Sequence, residues 1–184
     1  RKQRVGRDRQ VAHPLADGIA VEGMRLVKEN LVRAFRNGGD LEARGNMMAA
    51  AAMGATAFQK GLGAIHALSH PIGALYDTHH GLTNAVFMPY VLAFNRPAIE
   101  DRITRLAAYL GLGASFDAFQ DYVLAIRREV GIPHALDGLK VGAEKETLIA
   151  EMAIVDPTAG GNPLPLDIAG ARRIFQAALS GKVG

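Results

Sequence analysis

Four of the six histidines, His66, His70, His79 and His80, fall in one short stretch of the chain. His66 and His70 are four apart, which on a helix places both imidazoles on one face, about one turn from each other. A loop containing Gly73 and Asp77 leads on to His80 and can bring it back to the first pair. Neutral imidazoles grouped in this way suit zinc or ferrous iron, whereas calcium or magnesium would call for oxygen ligands. The chain has no cysteine. That removes thiolate zinc, iron–sulfur clusters, disulfides and thiol nucleophiles, and leaves histidine, carboxylate and water as metal donors. Two other readings stand beside this one. The histidines can be hydrogen-bonded core residues, since the pair lacks the glutamate that follows the first histidine in H-E-x-x-H metalloproteases. A hydrolytic metal site on His66, His70 and His80 would need a carboxylate base, for which Asp77 is the only candidate in the segment. His79 reads as a loop residue, and His13 and His134, each beside a proline, as turn or surface positions.

The setting of the cluster gives it weight. Between Gly45 and Asn95 the only formally charged residues are Lys60 and Asp77. Such a stretch is expected to be mostly interior, where polar groups cost free energy unless they are partnered. An interaction module has no physical reason to keep a histidine cluster there.

The elements that must position the cluster read as helices. No run of alternating β-branched residues suggests a strand, so the fold class is all-α, a multi-helix bundle. Ile19, Met24, Val27, Leu31 and Ala34 recur at helical spacing between Asp17 and Phe35, and Gly38-Gly39 supplies the stop. Asp40 can cap a second helix, Leu41 to Lys60, whose methionine and alanine run permits close packing on several sides and suggests a central position. Pro71 is expected to end the histidine helix. Thr83 to Phe94 resumes helical spacing with a kink at Pro89, followed by Ile99 to Leu110 and by a helix capped by Ser115 or Asp117 that runs to Val130. Glu144 to Val155 and Asp167 to Leu179 complete the set, separated by a turn-rich connector from Asp156 to Pro165. Gly61-Leu62-Gly63 follows a helix rather than a strand, so it does not read as a dinucleotide-binding turn, and Gly160-Gly161 fails the same test.

With 184 residues, 49% apolar and 21% charged, the chain has the material of one globular domain. The net charge of +3 divides unevenly: Arg1, Lys2, Arg4, Arg7 and Arg9 against Asp8 give the first ten residues +4, and the rest sums to −1. No aromatics interleave with this basic start and no recognition-helix or RNA-module pattern follows it, so no nucleic-acid partner is expected. Neither a leader-like pattern nor a solid aliphatic span is present, and the sequence reads as cytoplasmic with no membrane association.

The run Gly63-Ala64-Ile65-His66-Ala67-Leu68-Ser69-His70-Pro71-Ile72-Gly73-Ala74, followed by His80-Gly81-Leu82-Thr83-Asn84-Ala85, resembles the signature of the iron-containing (group III) alcohol dehydrogenases. Ala16-Asp17-Gly18-Ile19-Ala20, Asp40-Leu41-Glu42-Ala43-Arg44, Gly131-Ile132-Pro133 and Asp156 with Asn162-Pro163 fall in the order and spacing of that family's helical C-terminal domain. The resemblance covers about residues 11–182 and implies a dehydroquinate synthase-like α domain over 11–184. It implies that His66 and His80 are two of four metal ligands, for Fe(II) or Zn(II), and that His70 lies near the nicotinamide and substrate. The implied reaction is NAD(P)-linked oxidation of a small alcohol to an aldehyde or ketone, or its reverse, in a homo-oligomer. The family's other two ligands are an Asp and a His four residues apart, on a helix just upstream of the position of Val11. Here Asp8 is followed four residues later by Ala12, with His13 one place further. The family's N-terminal nucleotide-binding domain has no counterpart in the sequence. The expectation is therefore a chain that holds NAD(P) poorly and turns over little by itself. Residues 1–10 are expected to be a patternless start, as a truncated gene, a wrong start or a frame shift would leave. A helical binding or assembly module without catalysis is the alternative. Either way, a helical domain without its partner would expose apolar surface and self-associate.

Overall fold

A computed structural model describes residues 14–183. The first ten residues and His13 therefore lie outside the described part. Seven α-helices follow one another: α1 (Pro14–Arg36), α2 (Leu41–Ala57), α3 (Ala64–Tyr76), α4 (His80–Tyr109), α5 (Phe116–Glu129), α6 (Glu146–Val155) and α7 (Ile168–Ser180). The described residues contain no β-strand, and the fold is all-α as the periodicity predicts.

Several boundaries are set by the side chains that the sequence offers for them. Asp40 caps α2 by accepting from the Ala43 amide, Ser115 rather than Asp117 caps α5 through the Ala118 amide, and Asp167 caps α7 through the Gly170 amide. Two boundaries differ from expectation. Pro71 does not end α3; it lies buried in its interior, and the helix runs on to Tyr76. The hydrogen bond that proline removes is offset by burying Leu68, Pro71 and Ile72 in the main core. Thr83 to Phe94 and Ile99 to Leu110 are parts of one helix, α4, which carries Pro89 and Pro97 in its interior.

Helices α3 to α7 form the body. Helix α3 packs against α4 and α6, α7 packs against α4 and α6, and α5 lies along α4. Phe87, Phe175, Leu68, Ile72 and Ile149 are each fully buried there. The turn that carries Asn162 ties this body together. Asn95 on α4 and Asn162 exchange amide hydrogen bonds of 2.9 and 2.8 Å, and the Asn162 Oδ1 also accepts from the Ala64 amide at the start of α3. The adjacent Gly161 is held against the Leu62 carbonyl so closely that a Cβ would lie 1.9 Å from that oxygen. Only glycine fits there.

Helices α1 and α2 form an antiparallel hairpin. They meet through small residues: Ala43, Ala50 and Ala57, seven apart, are the buried residues of α2, and Gly23 of α1 approaches Met53 and Ala50. Asn30, 2% exposed, donates to the Leu26 carbonyl and accepts from Asn46 of α2. The expectation of a central second helix fails, because α1 and the 3-10 turn Phe58–Lys60 are its close neighbours and the rest of its apolar surface faces out. Met48 is 74% exposed. Side chains rather than backbones join the hairpin to the body: Val21 and Met24 pack on Leu106, Ala107 and Leu110, Asp17, which also pairs with Lys60 at the end of the hairpin, reaches Arg102 at 2.9 Å, and Arg36 meets Glu129 of α5 at 3.1 Å. Between α1, α4 and α5 an apolar slot of about 450 Å³ is left open, lined by Met24, Val27, Leu31, Met88, Phe119 and Ile126 among others.

Candidate metal centre

The start of α3 and the start of α4 bring three of the predicted histidines together. His66 and His70 lie on successive turns of α3 with ring centroids 5.8 Å apart, as the four-residue spacing requires. The Tyr76-to-His80 turn returns the chain so that the His80 ring lies 5.2 Å from His66 and 5.3 Å from His70. The cluster is not interior, contrary to the charge-poor sequence around it: His66 is half-buried, while His70, His79 and His80 are exposed. His79 is the N-cap of α4, with its Nδ1 accepting from the Leu82 amide. His134 lies in the turn after α5, exposed, with its Nε2 2.8 Å from the Gly181 carbonyl.

Asn84, four residues after His80 and so on the same face of α4, sits between two of the rings. Its Nδ2 is 3.3 Å from Nε2 of His66 and 3.0 Å from Nε2 of His80. The buried Ser69 hydroxyl donates to the Asn84 Oδ1, which turns the amide nitrogen toward the imidazoles. The two Nε2 atoms therefore converge on a single hydrogen-bond donor, the Asn84 amide nitrogen. Burial keeps the His66 imidazole below its ordinary pKa, and the neighbouring His80 and His70 add to the effect, so its lone pair is available at neutral pH.

His70 is held differently. Its Nδ1 lies 2.8 Å from Oδ2 of Asp156, the residue that ends α6. Oδ1 of Asp156 accepts from the Thr158 amide and hydroxyl at 2.8 and 2.5 Å. Burial pushes the Asp156 carboxyl up, but the Thr158 and His70 hydrogen bonds outweigh it and hold the group below the usual carboxylate range. An ionised carboxylate on Nδ1 fixes the proton there and leaves Nε2 as the outward lone pair. Asp156, not Asp77, is thus the carboxylate that meets the cluster; Asp77 is the left-handed residue that terminates α3.

Two imidazole nitrogens that converge on one point make up half of the donor set that a four-coordinate transition-metal site requires. Among the described residues no group of three or more His, Cys, Asp or Glu is arranged to hold an ion. Asn84 and Ser69 were not singled out by sequence, although the four-residue spacing from His80 was the signal for Asn84. For the pairing of Asp156 with His70, 86 residues away, no local signal exists.

The same architecture occurs in known proteins. Residues 9–179 match the model of the Fe-containing alcohol dehydrogenase family, C-terminal. The 4-hydroxybutyrate dehydrogenase of Cupriavidus necator is 38% identical over 91% of this chain and 46% of its own length. The NAD-dependent methanol dehydrogenase of Bacillus methanolicus is 35% identical over 91% of this chain and 46% of its own length. In three dimensions the chain superposes on 1,3-propanediol oxidoreductase with a TM-score of 0.88 and 31% identity, over 92% of this chain and 47% of that one. It spans about half the length of the relatives it matches. No helix among the described residues is long and apolar enough to cross a membrane. On a family match that runs over nearly the whole sequence, the chain belongs to the Fe-containing alcohol dehydrogenase family and represents its C-terminal region.

Proposed function

We propose that this chain is the metal- and alcohol-binding half of an NAD(P)-linked dehydrogenase of small alcohols, with His66 and His80 as metal ligands and His70 at the reacting carbon. The observation that carries this reading is the convergence of the His66 and His80 Nε2 lone pairs on one point, now filled by the Asn84 amide. A ferrous or zinc ion held there supplies Lewis acidity toward an alcohol or carbonyl oxygen, while hydride transfer belongs to the nicotinamide.

The chain's own residues supply the setting. His66, kept neutral by its surroundings, offers a lone pair without first losing a proton. Asn84 is displaced from the two rings and remains tethered through Ser69. Asp156 orients His70 so that its Nε2 can hold or pass a proton beside the substrate oxygen. The same arrangement serves oxidation and reduction alike. Two ligands hold an ion weakly, and the remaining donors would come from the part of the relatives' length that this chain does not span. The apolar slot between α1, α4 and α5 reaches Ala85, next to Asn84. The dinucleotide would bind mainly outside these residues, and this chain by itself would turn over little.

The test is metal uptake under anaerobic conditions, with Fe(II) or Zn(II) titrated into the protein and into a His66→Ala, His80→Ala variant. Saturable uptake of one ion per chain, lost in the variant, is the expected result. Equal uptake by both proteins, or none by either, would sink the assignment. The exposed Leu15, Phe35, Leu41 and Met48 of the hairpin favour a second property, self-association of the isolated chain into a homo-oligomer. A monodisperse monomer in sedimentation would count against it.

A further inference from the structure

A groove of about 410 Å³ lies on α4 between α5 and α7, about 20 Å along α4 from His80 at the helical rise per residue. That volume is in the range of small-molecule sites. Its chemistry has three parts. The walls are apolar and aromatic, with Tyr90 and Phe94 from α4, Phe116 from α5 and Ile174 from α7. The rim is cationic: Arg96, Arg173 and Lys182 line it against a single acid, Asp117. Arg96 is already engaged by Glu100 and Asp117. Arg173 rests over the Phe94 ring, 4.7 Å from its centroid, and no carboxylate among the described residues pairs with it or with Lys182. The groove also holds a side-chain acceptor that lacks a donor. Gln120, 8% exposed, spends its Nε2 on the Pro89 carbonyl at 2.9 Å, and its Oε1 is buried with no hydrogen-bond partner. Pro97 has no N–H, so the Ala93 carbonyl one turn back has no i+4 donor within the helix.

A ligand that answers all three parts carries an anion at one end, a flat apolar body, and N–H donors at the other. An inorganic anion would satisfy the rim and leave the Gln120 oxygen buried and unpaired. A neutral aromatic would do the reverse. We propose that this groove binds a mononucleotide with an exocyclic amine, of the adenosine monophosphate type, with the phosphate on Arg173 and Lys182, the ring between the Phe94 and Phe116 walls, and the amine toward the Gln120 Oε1. The site uses no residue of the histidine cluster, so it stands or falls independently of the dehydrogenase reading.

The experiment is titration of the 184-residue protein with adenosine monophosphate at physiological ionic strength, followed by calorimetry and by amide chemical shifts. The expected result is saturable binding at one site, with shifts centred on Phe116, Gln120 and Ile174. Two comparisons sharpen it. Arg173→Ser, Lys182→Ser replaces exposed side chains and leaves the helical signal intact; it should weaken binding at least about tenfold, the size of a lost charge-assisted hydrogen bond. Purine riboside monophosphate, which keeps ring and phosphate but lacks the amine, should bind at least about fivefold more weakly. The proposal is overturned if adenosine monophosphate does not saturate, if inorganic phosphate binds as tightly, or if the double variant binds as well as the parent. It is equally overturned if binding is lost in the His66→Ala, His80→Ala variant, which would put the nucleotide at the histidine cluster.

Discussion

The hairpin α1–α2 and the body α3–α7 are built from equally apolar sequence and end up in opposite conditions. In the body the apolar residues find each other: Phe87, Phe175, Leu68 and Ile72 are fully buried, and the polar Asn95 and Asn162 satisfy one another across the core. In the hairpin they do not. Leu15, Leu41 and Met48 are more than 70% exposed, and the face that α1 turns toward α4 and α5 borders an apolar slot. Such an open apolar slot leaves side chains of both regions without packing partners on one side. The difference teaches that apolar composition reports the need for a partner and not its presence. It follows that the body carries the stability of the chain, while the hairpin is held by one side-chain cluster and a few ion pairs.

The largest expected effect lies in the body. Phe87→Ala should cost about 3–5 kcal/mol, since the ring is fully buried and its neighbours cannot close the space. Met48→Ala on the hairpin, at 74% exposure, should stay within about 0.5 kcal/mol. Urea unfolding midpoints decide the matter, and similar costs for the two would break the comparison. Next comes Asn162→Ala, which strands the amide of Asn95, 4% exposed, and the Ala64 N–H; a loss of about 2–4 kcal/mol is expected from two buried unsatisfied groups. Native-state hydrogen exchange separates the two regions directly. Amides of α1 and α2 should open at lower free energy than those of α3, α4 and α7. Uniform protection along the chain would contradict the division.

Filling the slot tests it from the other side. Ala85→Leu projects three more carbons into the slot from α4 and should raise stability by about 1 kcal/mol, from the apolar area it takes out of water. The gain should appear in the hairpin's exchange before it appears in the global midpoint. A loss instead would mean that the hairpin already closes onto α4 in solution.

The elements were legible because helical periodicity and caps are local. Asp40, Ser115 and Asp167 each mark a boundary that the backbone obeys. Pro71 misled because a single lost hydrogen bond is outweighed when the proline and its neighbours are buried, which local sequence does not record. The same limit governs the site. His66, His70 and His80 were visible from spacing on one helix and a short return loop. Asp156 was not, since its approach to His70 depends on how α6 packs against α3. The placement of α2 was misread for a related reason: its alanines and methionines suit burial, and the described residues cover only its Ala43, Ala50 and Ala57 stripe.

The smallest effect concerns the polar link between the two regions. Asp17 on α1 reaches Lys60 beyond α2 and Arg102 on α4. The Lys60 hydrogen bond is the largest influence on its carboxyl; burial opposes it, Arg102 reinforces it, and the balance leaves the group below its ordinary 3.8. A carboxyl with a depressed folded pKa binds protons more tightly in the unfolded state. Its contribution is therefore complete above the unfolded value of about 3.9 and is lost as pH falls through the folded value. Hairpin attachment should weaken in acid below about pH 4, where the body, bound mainly by apolar contacts, changes less. Asp17→Asn should lower hairpin protection at neutral pH by about 1 kcal/mol or less, the range of partly exposed ion pairs, and should flatten its acid dependence. Hairpin exchange that keeps the same pH slope in Asp17→Asn would show that Asp17 does not set the acid dependence of the link, which then rests on the apolar cluster of Val21, Met24 and Leu106 and on the Arg36–Glu129 pair between α1 and α5.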